Sequence, residues 1–180
     1  SEEQIDLAIK AGTTGSTHVG NGCPKQMDRS DNIIQRLLAR DELWASFILD
    51  GHHINFSALK NFINAKPANC IAVTDAIYMT GMPPGKGKLN GLDIEKQKNG
   101  KVCLSGTDNL AGSSLTMNDA FTNLTDKVGI SRRDAEMMTS WLPASIIGAE
   151  EQLKECKVEL NYSDEIVATY IKDEKVFEKK

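Results

Sequence analysis

Nothing in this 180-residue chain approaches the roughly 20 consecutive apolar residues of a membrane-spanning helix, and no basic-then-apolar leader opens it. Histidine is scarce, with three copies. Cysteine has four, Cys23, Cys70, Cys103 and Cys156, and these form no CxxC pair. Thiols so scattered build no disulfide framework and read as reduced side chains of a cytoplasmic protein. A surplus of positive charge is missing too: the net charge is −4, which argues against nucleic acid as the main partner. With 14 Gly, 5 Pro, 40% apolar and 26% charged residues, the balance excludes collagen-like and largely disordered chains. What remains is a globular chain of a length suited to one domain.

The order of elements is more informative. Ser1-Glu2-Glu3-Gln4 has the form of a capping box, and Ile5, Ala8 and Ile9 follow at helical spacing up to Gly12. A Thr-rich run, Thr13 to Thr17, ends in His18. Ser30 to Leu43 reads as helix, with Ile33, Ile34, Leu37 and Leu38 on one face. Trp44 to Leu49 reads as a strand ending in Asp50-Gly51-His52-His53. Ser57 to Ala65 returns to helix, and Cys70 to Val73 is a second apolar strand, ending in Thr74-Asp75.

Strands alternating with helices imply parallel strands joined by crossovers, hence an α/β fold. Parallel strands are covered on both faces, which explains runs that stay apolar instead of alternating. Ligands of such sheets gather at the carboxyl ends of the strands. His18, Asp50, His53 and Asp75 are thereby expected on one rim.

Beyond Asp75 the stretch Met79 to Asn109 is rich in Gly, Pro and Lys, with β-like pieces at Lys88 to Ile94 and Lys101 to Leu104. It reads as an excursion over the rim. Helix starts at Thr116-Met117-Asn118-Asp119 and Ser131-Arg132-Arg133-Asp134 predict helices running to Val128 and to about Leu142, closed by Pro143 and Gly148. The segments VEL, EIVATYIK and KVFE suggest two or three short strands at the end.

Each marked residue has a bland reading beside the chemical one. His52 and His53, adjacent on a strand, would face opposite ways and could not serve one metal together. Asp75 after a buried strand is costly unless paired, hydrogen-bonded or used, and a turn-capping role competes with a catalytic one. Arg29 is either an anion clamp or a surface ion pair. Gly81 to Lys88 lacks the pattern of a phosphate loop. The lysines at 86, 88, 96, 98 and 101 read as a solvated hairpin face.

Taken in order, TTGSTHVGNG, Arg29, DGHH, VTDA, LAGSSLTM and PASIIG closely resemble the N-acetylglucosamine-6-phosphate deacetylases, metal-dependent (β/α)8 barrels of the amidohydrolase superfamily. The resemblance implies a partial TIM barrel, strands six to eight with flanking helices over residues 1–150. It also implies that residues 151–180 belong to a small β-sandwich. It implies His18 as a metal ligand, for zinc or alternatively iron, and Asp75 as the catalytic acid–base. Asn21, Gly22 and Arg29 match phosphate contacts. Asp50, Gly51, His52 and His53 match a substrate-contacting segment with His53 as its functional histidine. Leu110, Ala111 and Gly112 match a loop covering the sugar.

By this resemblance the substrate is an amino-sugar phosphate and the full-length protein a homodimer. The Glu and His that complete the family's metal site come from earlier strands, and neither segment is in this chain. The chain therefore resembles the C-terminal part of a longer enzyme and is expected to hold metal weakly. The competing functions are a non-catalytic sugar-phosphate-binding or assembly module and another amidohydrolase.

Overall fold

The computed structural model describes residues 1–179. The chain opens on α1 (Glu2–Lys10), whose capping box forms as the sequence prescribes: the Ser1 hydroxyl accepts the Gln4 N–H while the Gln4 side chain reaches back to Ser1. After β1 (Gly15–Ser16) and a long loop comes α2 (Ile33–Leu38). This helix is much shorter than the stretch 30–43 predicted from periodicity. Asp28 explains the late start, because its Oδ1 accepts the N–H groups of Ser30 and Asp31 and holds them in a turn. Asn32 then caps the helix by accepting from Gln35 N.

The strand β2 (Trp44–Ile48), the helix α3 (Phe56–Ala65) and the strand β3 (Cys70–Val73) follow. The strands β1, β2 and β3 lie side by side in that order, all parallel, with Ala45 opposite Cys70 and Ile48 opposite Val73. The α/β reading and the parallel alternation are thus observed. The main core gathers around this sheet. Phe47, Leu49, Leu59 and Leu124 are fully buried in it, and the Phe47 ring meets that of Phe62 at 6.1 Å. Burying such side chains supplies most of the driving force, about 1.5–3 kcal/mol each.

From residue 85 the excursion is a three-stranded antiparallel meander: β4 (Gly85–Leu89), β5 (Leu92–Lys96) and β6 (Val102–Leu104). It has its own small core of Met79, Ile94 and Val102. Lys96, one of the lysines expected on a solvated face, instead donates from Nζ to the carbonyls of Met79 and Met82. That bond set fastens the turn which launches the meander.

Helix α4 (Met117–Thr122) continues into a π-helical stretch, Asn123–Val128, ended by left-handed Gly129. Next, α5 (Arg132–Glu136) passes through a second π stretch, Met137–Trp141, into α6 (Leu142–Ile147). The first helix stops at Val128 as expected. The second does not stop at Leu142. Pro143 falls just after the second π stretch, where that stretch passes into α6, and the chain runs on to Gly148. A short α7 (Glu150–Lys154), unannounced by the sequence pattern, leads to the antiparallel sheet β7 (Cys156–Leu160), β8 (Ile166–Ile171), β9 (Glu174–Glu178). Leu160 packs against the main core, and Arg132 both pairs with Asp164 and lies 5.2 Å over the Phe121 ring. No helix among the described residues is long and apolar enough to cross a membrane.

Candidate functional site

Parallel strands present their carboxyl ends on one edge, and the ionisable residues singled out above all follow those ends. His18 comes two residues after β1, Asp50 two after β2 and Asp75 two after β3. Two of them have an unusual backbone: His18 has φ 29° and Asp75 φ 48°. Non-glycine residues adopt such left-handed conformations rarely, and where they do the strain often marks function.

His18 is held by Ser46, a hydroxyl in the middle of the apolar strand β2. The His18 N–H donates to Ser46 Oγ at 2.6 Å, and the Val19 N–H donates to the Ser46 carbonyl at 2.9 Å. The chain then turns, with Asn21 N donating to the His18 carbonyl, and Gly22 N donates to Asn21 Oδ1. Gly20 lies so close to Ile54 that a Cβ there would sit 2.7 Å from the Ile54 Cδ1. This contact brings the turn after His18 against the corner that contains His53. Arg29 is exposed in the following loop. Lys25 of the same loop reaches Asn109, at 3.4 Å, beside Leu110.

The DGHH segment is a corner, and not the strand that the sequence reading assumed. Asp50 Oδ1 accepts the N–H groups of both His52 (2.8 Å) and His53 (3.0 Å), and Gly51 has φ 72°. The two imidazoles nevertheless part company. His53 Nδ1 lies 2.8 Å from Asp50 Oδ2, with only 2% of its side chain exposed. His52 Nε2 instead faces the Asn99 carbonyl at 3.2 Å, in the turn between β5 and β6. The meander does fold back over the rim at this point, leaving a groove of about 380 Å³ lined by Asp50, His52, Asn99, Ser114 and Asp119. Burial pushes the Asp50 carboxyl upward, but hydrogen bonds from the His53 side chain and backbone and from the His52 backbone outweigh it. The net position is below the usual carboxylate range.

Asp75 is exposed, and its backbone carbonyl accepts the Ser113 N–H at 3.0 Å. Ile77 N donates in turn to the Ser113 carbonyl, so the segment after β3 pairs with the loop at Leu110, Ala111 and Gly112. Gly112 (φ 79°) is required there, since a Cβ would meet Ile77 Cγ2 at 2.5 Å. Thus the expected sugar-covering loop is stitched to the expected acid–base residue.

A divalent metal is fitted less well. His18 Nδ1 is buried without a hydrogen-bond partner, the condition of a donor awaiting one. One imidazole is not a metal site, because zinc takes at least three protein ligands. No group of three or more His, Cys, Asp or Glu side chains that could hold a metal occurs among the described residues. The described residues therefore do not make a complete metal centre.

Two positioning residues went unmarked in the sequence. Ser46 could have been found as the one polar residue inside the apolar run ASFIL. Asn123, whose Nδ2 donates to the Leu49 carbonyl at 2.8 Å, stands in the sequence only as one of three N-x-[ST] matches, which say nothing of this role.

Acidic and imidazole side chains follow the parallel strands, with glycine-rich loops around them, and the relatives that this chain matches are named as deacetylases, which are hydrolases. They consistently carry the name N-acetylglucosamine-6-phosphate deacetylase or that of its galactosamine counterpart. The chain is 29% identical over 155 residues to the N-acetylgalactosamine-6-phosphate deacetylase of Escherichia coli O157:H7, covering 86% of this chain and 41% of that protein. It is 28% identical over 156 residues to the N-acetylglucosamine-6-phosphate deacetylase of Vibrio furnissii, covering 87% and 39%.

A solved structure of the N-acetyl-D-glucosamine-6-phosphate deacetylase of Mycobacterium smegmatis, a variant in complex with N-acetyl-D-glucosamine-6-phosphate, superposes with a TM-score of 0.84 at 26% identity. The match covers 98% of this chain and 49% of that one. The chain spans about two fifths of the length of these two curated relatives and matches their C-terminal part. No family model matches it.

Proposed function

We propose that this chain carries the acid–base and sugar-phosphate-binding portion of an amino-sugar-phosphate deacetylase. On this reading β1, β2 and β3 are the sixth to eighth strands of a (β/α)8 barrel within residues 1–150, and residues 151–180 belong to a small β domain. Asn21, Gly22 and Arg29 hold the phosphate, His53 contacts the sugar, and Leu110 to Gly112 cover it. Asp75 takes a proton from water as the water oxygen bonds to the acetamide carbonyl carbon. It then returns that proton to the nitrogen as the C–N bond breaks, giving acetate and the free amino-sugar phosphate. His18 is one donor to a divalent metal, zinc or iron, whose other donors lie outside the described residues. The full-length protein is read as a homodimer in the cytoplasm.

The observation that supports this reading most is the stitching of Asp75 to the Gly112 loop, on the same sheet edge as His18 and His53. A second reading, a binding module without turnover, is favoured for the isolated chain by the lack of a three-donor cluster among the described residues.

Calorimetry with glucosamine 6-phosphate and galactosamine 6-phosphate, run beside acetate-release assays on the two acetylated sugars, tests both. Binding with little turnover is the expected result for this chain. Binding of a phosphate-free acyl amino acid, with no binding of either sugar phosphate, would replace the deacetylase reading by another amidohydrolase.

A further inference from the structure

The Asp50 carboxylate spends both oxygens inside its own corner. Oδ1 accepts the backbone N–H groups of His52 and His53, and Oδ2 faces His53 Nδ1 at 2.8 Å, with 9% and 2% of the two side chains exposed. The strand end behind the pair is anchored as well, since Asn123 at the start of the π-helical stretch donates to the Leu49 carbonyl. A carboxylate can only accept, so in the neutral imidazole the proton facing Asp50 Oδ2 sits on His53 Nδ1. His53 Nε2 has no hydrogen-bond partner among the described residues. His52, by contrast, is engaged with the Asn99 carbonyl.

We infer that Asp50 is a positioning residue: it fixes His53 in the tautomer protonated at Nδ1, so that neutral Nε2 accepts a hydrogen bond from a ligand hydroxyl. The tautomer follows from the corner itself. That the hydroxyl belongs to an amino-sugar phosphate rests on the function proposed above. The arrangement selects for donors, because a ligand offering only an acceptor there leaves two lone pairs opposed.

Asp50→Asn is the informative variant. Its amide oxygen can keep both backbone N–H groups, while its NH2 takes the place of Oδ2 and turns His53 Nδ1 into the acceptor. Nitrogen-15 NMR of the histidine-labelled chain reads the two ring nitrogens separately. The expected spectrum has His53 protonated at Nδ1 and bare at Nε2, and reversed in Asp50→Asn. Affinity for glucosamine 6-phosphate then falls roughly tenfold, one good hydrogen bond's worth.

A wild-type His53 protonated at Nε2 overturns the inference without any variant. So does an unchanged tautomer in a folded Asp50→Asn chain, or a reversed tautomer with undiminished affinity. If the tautomers behave as stated but the sugar phosphate binds neither protein, the positioning role stands and the proposed function falls.

Discussion

The Ser46 hydroxyl, buried in the middle of β2, accepts the backbone N–H of His18 at 2.6 Å and so fixes the first ionisable residue beyond β1. β1 itself is two residues long, and its register on β2 leaves His18 without a ladder partner of the ordinary kind. Ser46→Ala strips the acceptor from a half-buried N–H. A stability loss of about 1–3 kcal/mol is expected in urea unfolding, against near-neutral behaviour for Ser30→Ala on the surface.

Asp75 stores backbone strain at φ 48° while its side chain is exposed. Asp75→Gly therefore removes the carboxylate and relieves the strain together. The folded chain should gain about 0.5–1 kcal/mol, read as a higher thermal midpoint. A loss of stability would show that the carboxylate holds the turn instead.

The acid limb of the stability curve should carry the signature of Asp50. Its folded carboxyl lies below its ordinary value, so the unfolded chain binds the proton more readily. The resulting stabilisation is complete above the unfolded carboxyl range, near pH 4, and disappears as the pH falls through the lower folded value. Urea midpoints measured between pH 7 and pH 3 should fall less steeply in Asp50→Asn than in the wild type.

Thiol reactivity should separate the cysteines. Cys70 is buried under α3, donates to the Lys66 carbonyl at 3.0 Å, and burial pushes its thiol up to about 12. At pH 8 it should resist alkylation until the chain unfolds, while the exposed Cys156 reacts at once. Peptide mapping after iodoacetamide treatment distinguishes the two.

Zinc should bind this chain weakly. With His18 as the single proposed donor, dialysed protein is expected to retain well under one equivalent by atomic absorption. Retention of a full equivalent would mean that donors come together in a way the described residues do not show.

The sheet and its rim were legible because continuous apolar runs ending in ionisable residues can be read locally. Trp44–Ile48 and Cys70–Val73 formed close to where the pattern put them. Helix ends were harder to read. The apolar face from Ile33 to Leu38 was correct, but the turn at Asp28 and the cap at Asn32 set the start. Pro143 misled in the other direction, since the helix runs through it from the π stretch Met137–Trp141 to Gly148. The DGHH segment took a corner geometry in place of the expected strand, because an Asp side chain captured two backbone N–H groups that a strand would have given to its neighbour.

By itself, the sequence determined the residue types, the alternation of elements and the caps, all of which depend on neighbours a few positions apart. Tertiary structure alone decided which side chains became partners. Ser46 reaches His18 across 28 residues, His52 reaches Asn99 across 47 and Asn123 reaches Leu49 across 74. Local propensity carries no information about such pairs. They are fixed only when the shared core places distant segments at hydrogen-bonding distance and burial penalises any polar group left alone.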